Sequence, residues 1–424
     1  MITYVLLGVF CLFLLRAPIF VALGAPAVAY LHFKGVPFAL APQRMLGTVN
    51  ESILLAIPMF LLAGRLMNLY GATERIFDFA QAVIGWIRGG LGYVSVVASM
   101  IFSAMSGSAA ADAVGVGTIT VKAMRARGYD PSFAAAVTLG SATLSPVIPP
   151  SIIMIIYGAA ANVSIGKMFL GGIGPGLLMG VAMMALVSFI SWRRSYPKGD
   201  PFSLRLVTRT FWRASLVLMT PVIIIGGIFS GILTPTEASV TAVVYVVFLG
   251  VVYRMITFRE LYSAVVGTAT AVGALMLVVS VSGLDAWVIA REQVPLALAS
   301  NMTDLVSSPT MVMILILLLV LILGFFMDAT PVILMLVPAI APLVNAYGID
   351  PLHLGVLFCI VCVIGLITPP VGVALYGVAM VSKLPIERVF WATLPFFAML
   401  IVLIGLMIAV PGIITFLPSV FIDG

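Results

Sequence analysis

Charged residues are scarce in this sequence. Asp, Glu, Lys and Arg make up only 8% of its 424 residues, against roughly a quarter in an ordinary soluble domain. Hydrophobic residues reach 62% and the mean hydropathy is +1.25, so an ordinary soluble domain is excluded. The composition predicts a polytopic membrane protein, and the net charge of +6 then reflects membrane topology rather than binding to nucleic acid.

Cysteine and histidine are almost missing, and this argues against a cofactor. The three cysteines, Cys11, Cys359 and Cys362, lie in apolar runs, and the two histidines are scattered. Cys359 and Cys362 have the spacing of a redox or metal pair, but without a second pair, packing is the better interpretation. No phosphate-binding GxxxxGK[ST] motif occurs, so nucleotide hydrolysis is unsupported. No cofactor is predicted, and sodium is the only metal that the chain is expected to bind.

Proline is abundant where it is least expected, inside a membrane-length apolar segment. Pro146, Pro149 and Pro150 interrupt the stretch from Gly128 to Gly158. Each proline removes a backbone donor and pushes the preceding residue out of the helical region, so nearby carbonyls lose their helical partners. Such carbonyls are tolerated at membrane depth only inside protein or along a cavity. We predict a broken span over residues 131–160 and a candidate ion site at its centre.

The same pattern returns later in the chain. Asp350-Pro351 follows Asp130-Pro131 by 220 residues, and Thr368-Pro369-Pro370 falls on Ile148-Pro149-Pro150 at that offset. A shared offset for several prolines indicates an internal duplication. We predict two repeats, residues 1–210 and 211–424, the second with its broken span over residues 351–380. The aspartates before proline are expected to cap helices.

Each repeat also carries two half-length apolar segments joined by a short polar tip, which indicates a re-entrant hairpin. The first covers about residues 90–127 with the tip Ser106-Gly107-Ser108, and the second covers about residues 309–347, where Asp328 falls opposite Ser108. The first hairpin ends in Lys122, Arg125 and Arg127, whereas Leu343 to Ile349 contains no cation. Because positive residues mark the cytoplasmic side, the repeats are expected to be inverted. The predicted fold class is an all-α membrane protein with an inverted repeat, two re-entrant hairpins and two proline-broken helices.

The most positive loop orients the whole chain. Six cations lie between Arg193 and Arg213, and this segment is therefore the best cytoplasmic marker. Lys34 and Arg44 then fall on the outer side, where the positive-inside rule does not expect them.

Inverted repeats and broken helices are typical of secondary transporters. Sodium is a hard cation that prefers oxygen ligands, and the tips and breaks offer hydroxyls and free carbonyls. One site is predicted at Ser106, Ser108 and Ser145 with the carbonyls of Gly107 and Val147. A second is predicted at Asp328, Thr330 and Thr368 with the carbonyls of Ala329 and Ile367.

The surroundings of these sites allow further predictions. Helix N-termini at the tips favour an anionic substrate between the two sites. The paired prolines, Pro149 with Pro150 and Pro369 with Pro370, are expected to form a hinge facing that substrate. Asp112 is either functional or the N-cap of the return helix of the first hairpin.

Five motifs together resemble the large membrane subunit of tripartite ATP-independent periplasmic (TRAP) transporters, over essentially the whole chain. They are PMFLLAG from Pro58, MSGSAAAD from Met105, SPVIPP from Ser145, GILTPTEA from Gly231 and ITPP from Ile367. The resemblance implies an elevator-type carrier in the bacterial inner membrane that moves organic acids inward with sodium. It implies two partners, a periplasmic substrate-binding protein and a small four-helix membrane subunit. It also implies that hairpins and broken spans form the moving domain, while the remaining helices form a scaffold.

Three functions stay open. The resemblance favours sodium-coupled uptake of a C4-dicarboxylate, sialic acid or another sugar or keto acid. A carrier of related architecture that needs no binding protein is the first alternative. An intramembrane enzyme is less favoured, because the sequence offers no metal cluster, no Ser/His pair and no intramembrane aspartate pair at helical spacing.

Overall fold

The computed structural model describes residues 2–15, 17–293 and 308–422. Within these ranges the chain is built from α-helices and one short 3-10 helix, Ser52–Leu55, with no strand. Seven of the helices are long and apolar enough to cross a bilayer by themselves. Most of the shorter apolar helices are the broken pieces and hairpin arms described next.

The helices of the first half include a hairpin and a broken span. The hairpin arms are Gly90–Ser106 and Ala109–Ala126, and the broken span consists of Pro131–Ala142 and Ile152–Ala161. The other helices are Ile2–Leu14, Ile19–Phe33, Leu40–Val49, Ala56–Leu69, Ala72–Ile84 and Ile165–Arg193.

The second half repeats the order of hairpin, broken span and long helix. Its hairpin arms are Pro309–Phe326 and Ala329–Ala346, and its broken span consists of Pro351–Leu366 and Val373–Ser382. The other helices are Leu204–Phe229, Pro235–Val252, Phe258–Arg291, Ile386–Ala409 and Gly412–Phe421.

Helix boundaries at the hairpins confirm the duplication. The first arms end at Ser106 and Phe326, and the second arms begin at Ala109 and Ala329, pairs that both differ by 220 in the sequence. The offset that prolines indicated therefore also sets where helices start and stop.

Both spans are broken, as the prolines predicted. In the first, the helix ends at Ala142 and resumes at Ile152, and in the second it ends at Leu366 and resumes at Val373. The Pro-Pro peptide bond within each break is cis. Asp130 and Asp350 accept hydrogen bonds from backbone N–H groups two residues on, so both are the helix caps that the sequence predicted.

The last long helix of each half packs against the hairpins and broken spans. On Ile165–Arg193, a Cβ at Gly172 would lie 2.4 Å from the Val147 carbonyl oxygen, and one at Gly180 would lie 2.7 Å from Met100. Phe396 of the later helix packs equally closely on Gly140. By packing, these last helices associate with the hairpins and broken spans, while the division into a moving domain and a scaffold stays a prediction. We call this assembly of hairpins, broken spans and last helices the core body.

The helices that precede the hairpin in each half pack largely on one another, and we call them the scaffold. A Cβ on Gly283 of Phe258–Arg291 would lie 1.8 Å from the Thr48 hydroxyl, and one on Gly250 would lie 2.7 Å from the ring of Tyr70. The scaffold meets the core body at Gly64, whose Cβ would lie 3.1 Å from the Cα of Ser106. A small residue is thus needed where the two bodies touch.

The segment between the halves is anchored on the base of the first hairpin. Arg127 pairs with Asp200 at 2.7 Å, and Arg194 pairs with Asp130 at 3.3 Å. Residue 210, the expected boundary of the repeats, lies inside the helix Leu204–Phe229. Because this segment carries most of the loop charge, the positive-inside rule predicts that the base of the first hairpin is cytoplasmic and that the opposite end of Ile165–Arg193 lies on the outer side.

Candidate functional site

The tip of the first hairpin rests directly on the break of the first span. Gly107 ends the first arm with a φ of 58°, a left-handed conformation that favours glycine. A Cβ there would lie 2.6 Å from the Pro150 carbonyl oxygen and 3.3 Å from the Ile152 nitrogen. Glycine is thus required twice, by conformation and by contact, and the fold brings Ser106 and Gly107 to the break.

A serine chain links the hairpin to the break beneath that contact. The Ser103 hydroxyl donates to the Ser99 carbonyl at 2.5 Å and lies 3.1 Å from the Ser145 hydroxyl. Since Ser103 has a single proton, Ser145 must be the donor in the second bond. The lone pairs of the Ser145 oxygen therefore remain available to a ligand. The buried Ser106 hydroxyl has no hydrogen-bond partner among the described residues.

Asp112 is the charged group of this cluster. It is 1% exposed, and its carboxylate approaches the hydroxyls of Ser99 and Ser145, yet neither oxygen makes a hydrogen bond of ordinary geometry with the described residues. The alternative that Asp112 caps the return helix is wrong, because the N-cap is Ser108, whose hydroxyl accepts from the Ala111 nitrogen at 3.4 Å.

An isolated buried carboxylate is costly, and it requires a cation or a proton. None of the ion pairs among the described residues involves Asp112, and no group of three metal-ligating His, Cys, Asp or Glu side chains occurs in the same part of the chain. The available ligands are all oxygens, from one carboxylate, several hydroxyls and free carbonyls. This donor set fits a hard cation such as sodium.

Two of the predicted ligands also make other contacts. The Val147 carbonyl oxygen lies against Gly172 of the helix Ile165–Arg193, and the Ser108 hydroxyl is occupied with capping. The Pro150 carbonyl, which the sequence did not single out as a ligand, lies at the Gly107 tip instead.

Sequence reasoning also missed Ser99 and Ser103. A signal was present, because Ser95, Ser99 and Ser103 recur every four residues on the first arm and so share one helix face. The hydroxyls of Ser95 and Ser141 also lie 3.1 Å apart, so the serine face pairs once with the first piece of the broken span and once with the break.

The second hairpin meets its break through the backbone. The Val371 nitrogen donates to the Phe325 carbonyl at 3.3 Å. Asp328 immediately precedes the return helix, where its side chain makes no capping hydrogen bond, and it lies near the Cys362 thiol of the broken span. The structure therefore places the carboxylate of the second tip near the first piece of the second broken span.

The hydroxyls of the second cluster are used differently from those of the first. Thr368 donates to the carbonyls of Ile364 and Gly365, each at 3.1 Å, and so closes the end of its own helix. Thr330, Ala329 and Ile367 are buried around the tip and the break. The two candidate sites are thus related by position, while their carboxylates come from different turns of the hairpin.

The predicted hinge prolines differ in exposure. Pro149 and Pro150 are buried, whereas Pro369 and Pro370 are exposed, and the Tyr376 hydroxyl donates to the Pro370 carbonyl at 3.2 Å. Only the second pair reaches the surface of the chain.

Together these features define a helical membrane transporter built from inverted repeats with re-entrant hairpins. Two solved transporters share the fold. YdaH of Alcanivorax borkumensis aligns with a TM-score of 0.63 at 12% identity, covering 88% of each chain. MtrF of Neisseria gonorrhoeae aligns with a TM-score of 0.62 at 13% identity, covering 87% of this chain and 83% of that one.

Sequence comparison identifies the family. The family described as tripartite ATP-independent periplasmic transporter, DctM component, matches residues 6–413. The chain belongs to this family, as the motifs indicated, and is a multi-pass protein of the inner membrane.

Similar proteins in the family are named large permeases. They include the sialic acid permease SiaM of Vibrio cholerae, 41% identical with 93% of each chain covered, and the 2,3-diketo-L-gulonate permease YiaN of Escherichia coli, 37% identical with 88% of each covered. The C4-dicarboxylate permease DctM of Pseudomonas aeruginosa is 37% identical, covering 89% of this chain and 88% of that protein. These names favour transport over enzymatic activity.

Proposed function

We propose that this chain is the permease of a sodium-coupled uptake system for an organic acid anion. The observation that carries the proposal is the buried, unpaired Asp112 carboxylate beside the Ser99 and Ser145 hydroxyls, near the tip of the first hairpin. The second cluster, around Asp328, Thr330 and Thr368, supplies a second cation site. Binding of cations at both tips orders the hairpins and favours a substrate anion between them.

An elevator motion accounts for the division into two bodies. The oxygens proposed to bind sodium all belong to hairpins and broken spans, and therefore to the core body. Gly64 of the scaffold, which has no side chain, lies against this body at Ser106. The core body is proposed to carry ions and substrate across the membrane together, while the scaffold stays fixed. Such rigid-body movement is one of the ways in which transporters alternate access.

The substrate is proposed to be an organic acid, because relatives are named for sialic acid, 2,3-diketo-L-gulonate and C4-dicarboxylate. A periplasmic binding protein is proposed to deliver it, and a small four-helix membrane subunit to complete the permease. A 35% identical relative, the isethionate permease DctMQ of Oleidesulfovibrio alaskensis, supports the second partner, because this chain covers only 65% of its length.

Uptake into proteoliposomes tests the proposal. The chain, reconstituted with the small subunit, should accumulate labelled organic acid only with an inward sodium gradient and only when the binding protein is present. Uptake that ignores the sodium gradient would refute sodium coupling. Sodium-driven uptake without the binding protein would instead support the alternative carrier that needs none.

A further inference from the structure

A cavity of about 900 Å³ lies between the scaffold and the core body, away from the tips and breaks. Its scaffold wall includes Gln43, Arg44 and Trp287, and its other wall includes Asn162 and Ser164, which follow the first broken span. Cavities of this size are typical of small-molecule sites. Because both bodies line it, any relative movement of the two must change its shape.

The cavity opens on the outer side of the membrane. Asn162 and Ser164 directly precede the helix Ile165–Arg193, whose other end enters the positive cytoplasmic segment. A substrate arriving from outside therefore meets this cavity on the face where it is delivered.

Arg44 distinguishes the cavity from an ordinary crevice. Like Lys34, Lys167 and Arg291, it lies on the outer side, where the positive-inside rule does not expect a cation. Lys34 pairs with Glu292 at 3.0 Å and Arg291 lies over the Trp287 ring, whereas Arg44 makes no ion pair within the described ranges. A guanidinium that is unpaired and lines a cavity is available for the carboxylate of a ligand, which it can bind with two hydrogen bonds.

The other polar groups of the cavity limit what the ligand can be. Glu51 also lines it and likewise makes no ion pair within the described ranges. A carboxylate accepts hydrogen bonds from hydroxyls but repels a second carboxylate. Gln43 and Asn162 supply amides that can donate to or accept from a polyol. One cation, one anion and two amides suit a hydroxylated monocarboxylate better than a dicarboxylate.

We propose that this cavity is an outer vestibule that binds a polyhydroxylated monocarboxylic acid, of the sugar-acid type, before the core body takes it up. Arg44 binds the carboxylate and Glu51 selects hydroxyls over a second acidic group. The inference rests on the proposed transport function and narrows its substrate to one chemical class.

Trp287 provides a direct binding signal. Its indole lines the cavity and its ring lies 5.0 Å from the Arg291 guanidinium. In detergent and sodium-free potassium buffer, N-acetylneuraminate and gluconate should change the tryptophan fluorescence saturably, whereas succinate should not. The change should vanish in Trp287→Phe. Saturable binding of succinate in preference to both sugar acids, or a change that persists in Trp287→Phe, would overturn the assignment.

Variants connect the vestibule to transport. Loss of a charged hydrogen bond costs about 1.5–3 kcal/mol, so Arg44→Gln should raise the KM for N-acetylneuraminate at least about tenfold, with an unchanged half-saturation for sodium. Glu51→Gln should increase succinate uptake relative to N-acetylneuraminate. Arg259→Gln, an exposed cation at the opposite end of the helix Phe258–Arg291, is the matched control and should change neither value.

The outcomes separate the two proposals. If the unmodified chain shows no sodium-driven uptake, the proposed transport function fails. If sodium-driven uptake is present but Arg44→Gln leaves both the KM and the Trp287 signal unchanged, only the vestibule fails. A KM that rises equally in Arg44→Gln and Arg259→Gln would also overturn it, because the effect would not belong to the cavity.

Discussion

Replacing Asp112 with asparagine tests the ion site most directly. The side chain is 1% exposed, so the substitution keeps the shape and one oxygen ligand while it removes the charge. Breaking a buried charge pair costs about 3–5 kcal/mol, and we take about 3 kcal/mol because one oxygen remains. This corresponds to an increase of about 150-fold in the sodium half-saturation, measured as the sodium dependence of uptake in proteoliposomes. Ser145→Ala and Ser106→Ala each remove one neutral oxygen ligand, a loss of about 1 kcal/mol. Each should therefore raise the sodium half-saturation by about fivefold.

Thermal unfolding provides an independent measure of the same substitution. A cation that binds only the folded state at 100 times its Kd stabilises it by about 2.7 kcal/mol, so sodium should raise the Tm of the unmodified chain. Asp112→Asn should lose this increase and should be the more stable of the two in sodium-free buffer, because it no longer buries an uncompensated charge. Asp130→Asn, at a partly exposed helix cap, is the control and should retain the sodium effect. An unchanged sodium half-saturation and Tm increase in Asp112→Asn would refute the assignment.

Three further predictions, one of them with a control substitution, concern the second ion site, the close packing of the last helices and the Glu292 carboxylate. Asp328→Ala should lower the sodium dependence of uptake while membrane insertion stays intact, and unaltered sodium kinetics would remove the second site. Gly174→Ala places a Cβ 2.1 Å from a backbone oxygen and should destabilise the chain by about 1–3 kcal/mol. Its control is Gly405→Ala, which has open space around it and should be neutral or stabilising. Equal Tm values for the two variants would contradict this prediction. The hydrogen bond from Tyr30, followed by that from Lys34, holds the pKa of the Glu292 carboxylate below its usual value, so its contribution is present at neutral pH and is lost as the pH falls through that lowered pKa. Glu292→Gln should therefore reduce thermal stability at neutral pH and progressively less in acid, and a pH-independent difference would argue against it.

The positions of the breaks and tips followed from the sequence because their causes are local. Proline removes the donor of its own residue and restricts its neighbour, so the ends of helices near Pro149 and Pro369 could be placed without knowledge of the fold. The inverted duplication was also visible, since the 220-residue offset and the loop charges lie in the sequence itself. Ser106 and Gly107 were found in this way, as residues of a polar tip.

Contacts between residues far apart in the sequence determined the other features of the candidate ion site. Asp112 was equally consistent with a helix cap, and it became the charged group of the cluster only because folding buries it next to Ser145, which lies in the break of the first span. The Val147 carbonyl was free, as expected from the prolines, but the helix Ile165–Arg193 passes close enough for Gly172 to lie against it. Local chemistry thus determined which oxygens lose their helical partners. Tertiary packing decided which of these oxygens face a common centre, because the direction and burial of each oxygen depend on residues far apart in the sequence.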